Sequence, residues 1–114
     1  MCSSDLVFLS HGGGALLFVL GRARAASERP WAPDWLRDGG FDALVERLWF
    51  DVHVKSEPAL RHLAEVVAPD RLVFGTNFGG WDAPRADAGA NDAESAARWN
   101  ANARRLLRRP QLAR

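Results

Sequence analysis

A histidine and three glycines follow a short apolar run near the start of the chain. His11 and Gly12-Gly13-Gly14 come after residues 6–9, a run typical of a strand that is covered on both faces of a parallel sheet. Imidazole exchanges protons near neutral pH, and glycine allows sharp turns because it has no Cβ atom. The segment therefore predicts either a tight turn with a locally hydrogen-bonded histidine or a proton-transfer site at a strand end.

A third interpretation of the same segment is the oxyanion loop of lipase-like hydrolases, in which glycine N–H groups stabilise a developing negative charge. That fold also needs a nucleophilic serine in a G-x-S-x-G turn. The sequence contains no such turn, so this interpretation is disfavoured.

Polar residues also stand at the ends of two later apolar runs. The stretch 48–54 alternates in polarity, which puts Asp51 and His53 on one face, and a third run is followed by Asn77. Because the carboxyl ends of parallel strands meet at one edge, these residues are expected near His11. In a (β/α)₈ barrel that edge carries catalysis, although Asp51 and His53 fit equally well as ordinary buried polar groups between strands.

Helical patterns separate the three predicted strands. Residues 15–24 and 41–48 are compatible with helices, and Ser56 with Pro58 marks the start of another helix with a buried stripe at Leu60, Leu63 and Val67. The last helix is predicted from a capping pattern at Asn91 and Glu94, with a buried side formed by Trp99, Ala103, Leu106 and Leu107. This order predicts α/β architecture. Three strands alone would leave two open edges, so they are expected to belong to a larger sheet or barrel.

Composition limits the class of protein. The chain has 114 residues, of which 47% are hydrophobic and 25% charged, and its net charge is +1; these values indicate one globular domain and no nucleic-acid partner. The clustered arginines are expected to form a solvated helix face: Arg104, Arg105, Arg108 and Arg109. The single cysteine, Cys2, is compatible with a cytoplasmic protein, and no apolar run reaches the roughly 18 residues that a membrane helix needs.

The beginning of the sequence is expected to be artefactual or truncated. A buried-type strand starts within residues 1–6, and the segment CSSDL is also the translation of a common sequencing-library adaptor. We therefore expect residues 7–114 to be a partial barrel domain and the natural protein to extend further towards its N-terminus.

Three segments resemble the C-terminal third of the amidohydrolase-related (amidohydrolase 2) family, which includes aminocarboxymuconate-semialdehyde decarboxylase. They are LSHGGGALLFVLGR, RLWFDVHVKSEPALRHLAEVVAPDRLVFGTN and NARRLL. The resemblance implies about strands six to eight, with their helices, of a metal-dependent-hydrolase (β/α)₈ TIM barrel. It also implies one divalent metal, usually zinc, and a homodimer.

The same resemblance implies roles for individual residues. His11 would transfer protons, either by activating metal-bound water or by protonating the substrate carbon before carbon dioxide is lost. Arg22 would hold a substrate carboxylate in the neighbouring subunit, unless it is an ordinary solvated helix residue. Apart from the resemblance, the position of His53 at the end of the second strand makes it a candidate to line the substrate pocket. Trp81, in the loop after the third strand, is a candidate to cover that pocket. The other tryptophans are expected to pack in the core or an interface, and His62 is expected on the surface.

The metal ligands implied by the family are mostly absent from this sequence. A His-x-His pair and a further histidine would precede it, and the remaining ligand is an aspartate in a G-[ST]-D turn that here reads Gly75-Thr76-Asn77. Asparagine offers a neutral oxygen, binds a divalent cation more weakly and cannot act as a base. Either the substitution is tolerated, or Asp82 supplies the charge, or metal binding has been lost.

The expected function is that of a carboxy-lyase or hydrolase acting on a small carboxylate-bearing substrate in the full-length enzyme. The 114-residue fragment itself is expected to be inactive, because one weak oxygen ligand cannot replace a complete metal shell. The alternatives are a non-catalytic truncated product or interaction module, and a hydratase or amide hydrolase on the same scaffold.

Overall fold

The computed structural model describes residues 6–75 and 93–107, which form three short strands and four α-helices. The strands are β1 (Phe8–Leu9), β2 (Trp49–Asp51) and β3 (Leu72–Val73), and the helices are α1 (Leu16–Ser27), α2 (Gly40–Val45), α3 (Glu57–Val66) and α4 (Ala93–Leu107). The predicted α/β architecture is confirmed. None of the helices in these two ranges is long and apolar enough to cross a membrane.

The strands form one parallel sheet in the order β1-β2-β3. Phe8 pairs with Trp49, and Asp51 pairs with Val73. Helices α1 and α2 connect β1 to β2, and α3 connects β2 to β3; such helical connections are what parallel strands require. The carboxyl ends of all three strands consequently lie at the same edge of the sheet, as predicted.

The hydrophobic core lies between the sheet and α3. Phe50 and Leu63 are each only 1% exposed and pack with Val52, Val67 and Leu72. The predicted apolar stripe of α3 is therefore confirmed. This helix also begins at the predicted position, with a proline in its first turn, but the Ser56 side chain forms no capping hydrogen bond.

Strands β1 and β2 differ from the prediction. The first was expected to be covered on both faces, but Val7 and Phe8 are 48% and 44% exposed. The other edge strand, β3, is buried because α4 packs on it. Strand β2 ends at Asp51 instead of continuing to Val54. There the N–H of Val54 donates a hydrogen bond to the carbonyl of Val52 (2.7 Å), which closes a tight turn centred on His53.

A polar side chain attaches α4 to the sheet. Asn102 is buried, and its Nδ2 donates hydrogen bonds to the carbonyls of Pro69 and Leu72, both at 2.8 Å. Trp99 of the same helix stacks on Phe74 with ring centroids 6.4 Å apart. Leu107 was predicted on the buried side but is 83% exposed, because it is the last residue of the helix and lies beyond the part that packs on β3.

The tryptophans in the described ranges differ in burial. Trp49 is 2% exposed, and the guanidinium groups of Arg71 and Arg105 lie 5.0 and 5.6 Å from its ring centroid. Trp31 and Trp35 instead lie between α1 and α2 and are 75% and 66% exposed. These two side chains therefore do not contribute to the core of this chain.

Candidate functional site

His11 begins a left-handed turn at the carboxyl end of β1. Its φ is 55°, and the three glycines after it also have positive φ. Within the turn, the N–H of Gly13 donates to the carbonyl of Ser10 (3.0 Å), and the N–H of Gly14 donates to that of His11 (3.1 Å). A left-handed φ costs a non-glycine residue about 1–2 kcal/mol. The surrounding contacts must therefore hold His11 in this conformation.

Two of the glycines let the turn lie directly on the core. A Cβ atom on Gly12 would lie 2.7 Å from Cγ2 of Val54, and one on Gly13 would lie 2.8 Å from Cε1 of Phe50. Real Cβ atoms almost never approach other atoms so closely. The H-G-G-G pattern is thus explained locally by backbone conformation and by the lack of space for side chains.

The Asp51 carboxylate joins the ends of the first two strands. Its Oδ1 accepts a hydrogen bond from the N–H of Gly12 (3.2 Å) and another from the N–H of His53 (3.0 Å). Asp51 is 7% exposed, and ionised acceptors form stronger hydrogen bonds than neutral ones. One oxygen atom therefore fixes the backbone on both sides of the candidate site.

The end of β3 provides the space for this carboxylate. A Cβ atom on Gly75 would lie 2.7 Å from Cβ of Asp51 and 3.0 Å from its Oδ2. The sequence reasoning assigned neither this packing role to Gly75 nor an anchoring role to Asp51. A glycine directly after an apolar strand was the available signal for a close approach at that position.

The two histidine rings meet at this edge. The imidazoles of His11 and His53 lie edge to face, with ring centroids 5.3 Å apart and an interplanar angle of 89°. His11 is exposed, whereas His53 is half-buried. We call His11, Asp51 and His53 the carboxyl-edge cluster, since the structure brings them together from the ends of β1 and β2.

The remaining candidate residues are not part of this cluster. Arg22 lies in α1, is exposed and forms no hydrogen bond or ion pair with another described residue. His62 lies in α3, half-buried, with its ring 6.1 Å from that of Phe18. Asn77, Trp81 and Asp82, together with Asn91 of the predicted helix cap, lie outside the described residues.

The described residues do not form a metal site by themselves. In the ranges 6–75 and 93–107, no three His, Cys, Asp or Glu side chains are grouped so that they could hold a metal ion. Asp51 uses Oδ1 for two backbone N–H groups. The cluster supplies two imidazoles and an anchoring carboxylate, a set suited to proton exchange with a ligand at this edge.

No protein-family model matches the chain, and a search of curated proteins gives no match either.

Proposed function

We propose that the chain is the C-terminal part of an amidohydrolase-related enzyme, in which β1, β2 and β3 are about the sixth to eighth strands of a (β/α)₈ barrel. Two features support this proposal besides the motif resemblance. The strands are parallel and follow each other in chain order with helices between them, as consecutive barrel strands do. In addition, Phe8 of β1 and Val7 just before it are exposed, and a neighbouring barrel strand and its helix would cover them.

The proposed reaction is decarboxylation or hydrolysis of a small carboxylate-bearing substrate, with His11 as the proton-transfer group. The observation that carries this proposal is the exposed His11 ring at the carboxyl edge of a parallel sheet, 5.3 Å from the ring of His53. This edge is where barrel enzymes bind and convert their substrates. An imidazole there can reach a bound molecule, and a second imidazole beside it can orient the same molecule.

In decarboxylation, protonated His11 donates its proton to the substrate carbon that carries the carboxylate. The bond to the carboxylate then breaks, carbon dioxide leaves, and the bonding electrons stay on the substrate. Neutral His11 finally takes up a proton from water. In hydrolysis, neutral His11 instead removes a proton from the water that attacks the substrate's acyl carbon. The bond from this carbon to the leaving group then breaks, and His11 returns the proton to the leaving group.

Substrate recognition is proposed for three residues. Arg22 is an exposed cation without an ion-pair partner among the described residues, and guanidinium groups bind carboxylates in a bidentate manner. In a homodimer it would serve the neighbouring subunit. His53 faces His11 directly, and Trp81 is proposed to cover the pocket because it follows the third strand in the sequence.

Zinc belongs to the proposal only for a longer protein, because the described residues do not provide a donor set. In the longer protein the metal would supply Lewis acidity. The purified 114-residue chain is expected to bind zinc weakly, as Asn77 offers at most a neutral oxygen. Tight stoichiometric binding in a calorimetric titration would contradict this assignment.

The test begins with the DNA upstream of the gene. A barrel of typical length predicts an in-frame His-x-His about 200 or more codons before His11. In the resulting protein, His11→Gln should lower carbon dioxide release from small carboxylic acids, or their hydrolysis, by about 10²–10⁴-fold. The matched control is His62→Gln, which should leave the rate within about twofold, because His62 lies on α3 against Phe18.

The same assay separates the alternatives. Equal rates for the two variants would contradict the role of His11. A longer protein without a His-x-His segment and without activity on any carboxylate would favour a non-catalytic product. Activity on amides or unsaturated acids, with the same loss in His11→Gln, would assign the site to an amide hydrolase or hydratase.

A further inference from the structure

Within the described part of the chain, one hydrogen bond links the left-handed turn at His11 to a residue distant in sequence. The N–H groups of Gly13 and Gly14 bond to carbonyls of Ser10 and His11, within the turn itself. The N–H of Gly12 instead donates to Oδ1 of Asp51, 39 residues along the chain. This bond connects the backbone next to His11 to the last residue of β2.

The same oxygen also restrains the second imidazole. The backbone N–H of His53 donates a hydrogen bond to Oδ1 of Asp51. The backbone N–H of Val54 donates to the carbonyl of Val52, which closes a tight turn. The backbone beside His11 and the backbone of His53 are therefore both hydrogen-bonded to the same oxygen atom of Asp51. Any displacement of that oxygen would change the separation of the two rings, which is 5.3 Å between centroids.

Asp51 contacts the backbone through Oδ1, which accepts the N–H groups of Gly12 and His53. It is 7% exposed, and the absence of a side chain on Gly75 leaves space for its carboxylate beside β3. A hydrogen bond to a charged acceptor is stronger than one between neutral groups. It therefore helps to hold the backbone next to His11 in the left-handed conformation, which is unfavourable for a residue with a side chain.

We infer that Asp51 is a positioning residue, which holds the His11 and His53 imidazoles in register by accepting the N–H groups of Gly12 and His53 on one oxygen. The inference rests on the proposed function in that His11 is the proton-transfer group. The restraint itself can be measured without any activity.

The test uses the isolated chain and three variants that are compared with the wild type by NMR. Asp51→Ala removes the acceptor, and Asp51→Asn keeps an oxygen of the same shape without the charge. Asn102→Ala is the matched control, since it removes two hydrogen bonds of a buried side chain that anchors α4 and lies outside the cluster. The readouts are the ring-to-ring nuclear Overhauser effect between His11 and His53, and hydrogen exchange at the amide of Gly12.

Asp51→Ala should lose the nuclear Overhauser effect between the His11 and His53 rings. Asn102→Ala should retain this effect, although it lowers the stability of the chain by a comparable amount. Asp51→Asn should retain the effect and exchange the Gly12 amide about tenfold faster, since neutral acceptors form bonds of about half the strength. A folded Asp51→Ala with the effect intact would overturn the inference. If Asp51→Ala does not fold, unchanged exchange in Asp51→Asn would overturn it equally.

These results can be told apart from failure of the proposed function. Loss of the ring-to-ring effect in Asp51→Ala supports the positioning role even if His11→Gln leaves the activity of the longer enzyme unchanged. Conversely, the activity could be lost in His11→Gln while the two rings keep their arrangement in Asp51→Ala. That result would contradict the positioning role of Asp51 but not the proposed function.

Discussion

The carboxylate of Asp51 accepts the backbone N–H of Gly12 across 39 residues of sequence, at 3.2 Å. This contact joins the first two strand ends and places the turn that carries His11 beside His53. Three strand ends thus contribute to one location, because Gly75 of the third leaves room for the same carboxylate.

Gly12→Ala should destabilise the chain by about 2–5 kcal/mol. The new Cβ would be strained at φ +62° and would lie 2.7 Å from Val54. The free energy of unfolding in urea measures the effect. Gly21→Ala is the control: Gly21 lies in α1, and a Cβ there would have no neighbour within 4 Å. That variant should be more stable by about 0.5–1 kcal/mol, and equal losses in both would refute the explanation.

Asn102→Ala should cost about 1–3 kcal/mol. The substitution leaves the carbonyls of Pro69 and Leu72 without this donor at the junction of α4 and β3. Asn100→Ala provides the comparison, because Asn100 is exposed and its side chain bonds, within the described part of the chain, only to Arg104 of its own helix. Urea denaturation of the two variants should differ by at least about 1 kcal/mol; indistinguishable midpoints would mean that Asn102 does not anchor the helix.

Arg37→Lys should destabilise the loop between α1 and α2. Nη2 of Arg37 donates to the carbonyls of Pro30 and Ala32 (2.7 and 2.6 Å), and Nη1 pairs with Asp34 at 2.7 Å. A lysine ammonium cannot reproduce this planar set of donors, so a loss of about 1–2 kcal/mol is expected.

Arg61→Lys is the control for that prediction, since the one ion pair that Arg61 forms with a described residue is exposed and joins it to Glu57 at 3.5 Å. Its effect on the free energy of unfolding should stay within about 0.5 kcal/mol. If Arg61→Lys lost as much stability as Arg37→Lys, the loss would be a general effect of replacing arginine by lysine. It would then not be due to the hydrogen bonds of Arg37 in the loop.

Arg71→Met should weaken the packing around Trp49 by about 0.5–1 kcal/mol, because it keeps the apolar stem but removes a guanidinium 5.0 Å from the indole centroid. Thermal unfolding followed by circular dichroism would detect the change. Arg104→Met, at an exposed position of α4, should shift the midpoint less. The reverse order would argue against a cation–π contribution at Trp49.

Much of the fold could be predicted from local patterns. The apolar runs gave the strands, and the helical spacing of Leu63 and Val67 gave the buried face of α3, because both signals depend on burial of neighbouring residues. The meeting of His11 with His53 followed from the rule that parallel strands end at one edge. No long-range contact was needed for these predictions.

Other features depend on partners that are distant in sequence. Asp51 was predicted either at a site or as a buried polar group between strands, and its burial is confirmed. The alternation of residues 48–54 did not indicate that its Oδ1 accepts the N–H groups of Gly12 and His53. Asn102 was likewise not predicted in the core, since its acceptors belong to the short 3₁₀ helix before β3 and to β3 itself. Periodicity records which side of an element is apolar, and it contains no information about such hydrogen-bond partners.

The most direct measurement is the ring-to-ring nuclear Overhauser effect between His11 and His53 in the unmodified chain. Centroids 5.3 Å apart in an edge-to-face arrangement predict cross-peaks between their carbon-bound ring protons. The presence of these cross-peaks, with none between His11 and His62, is the predicted result. A folded chain in which His11 shows no contact with His53 would contradict the carboxyl-edge cluster and the chemistry proposed for it.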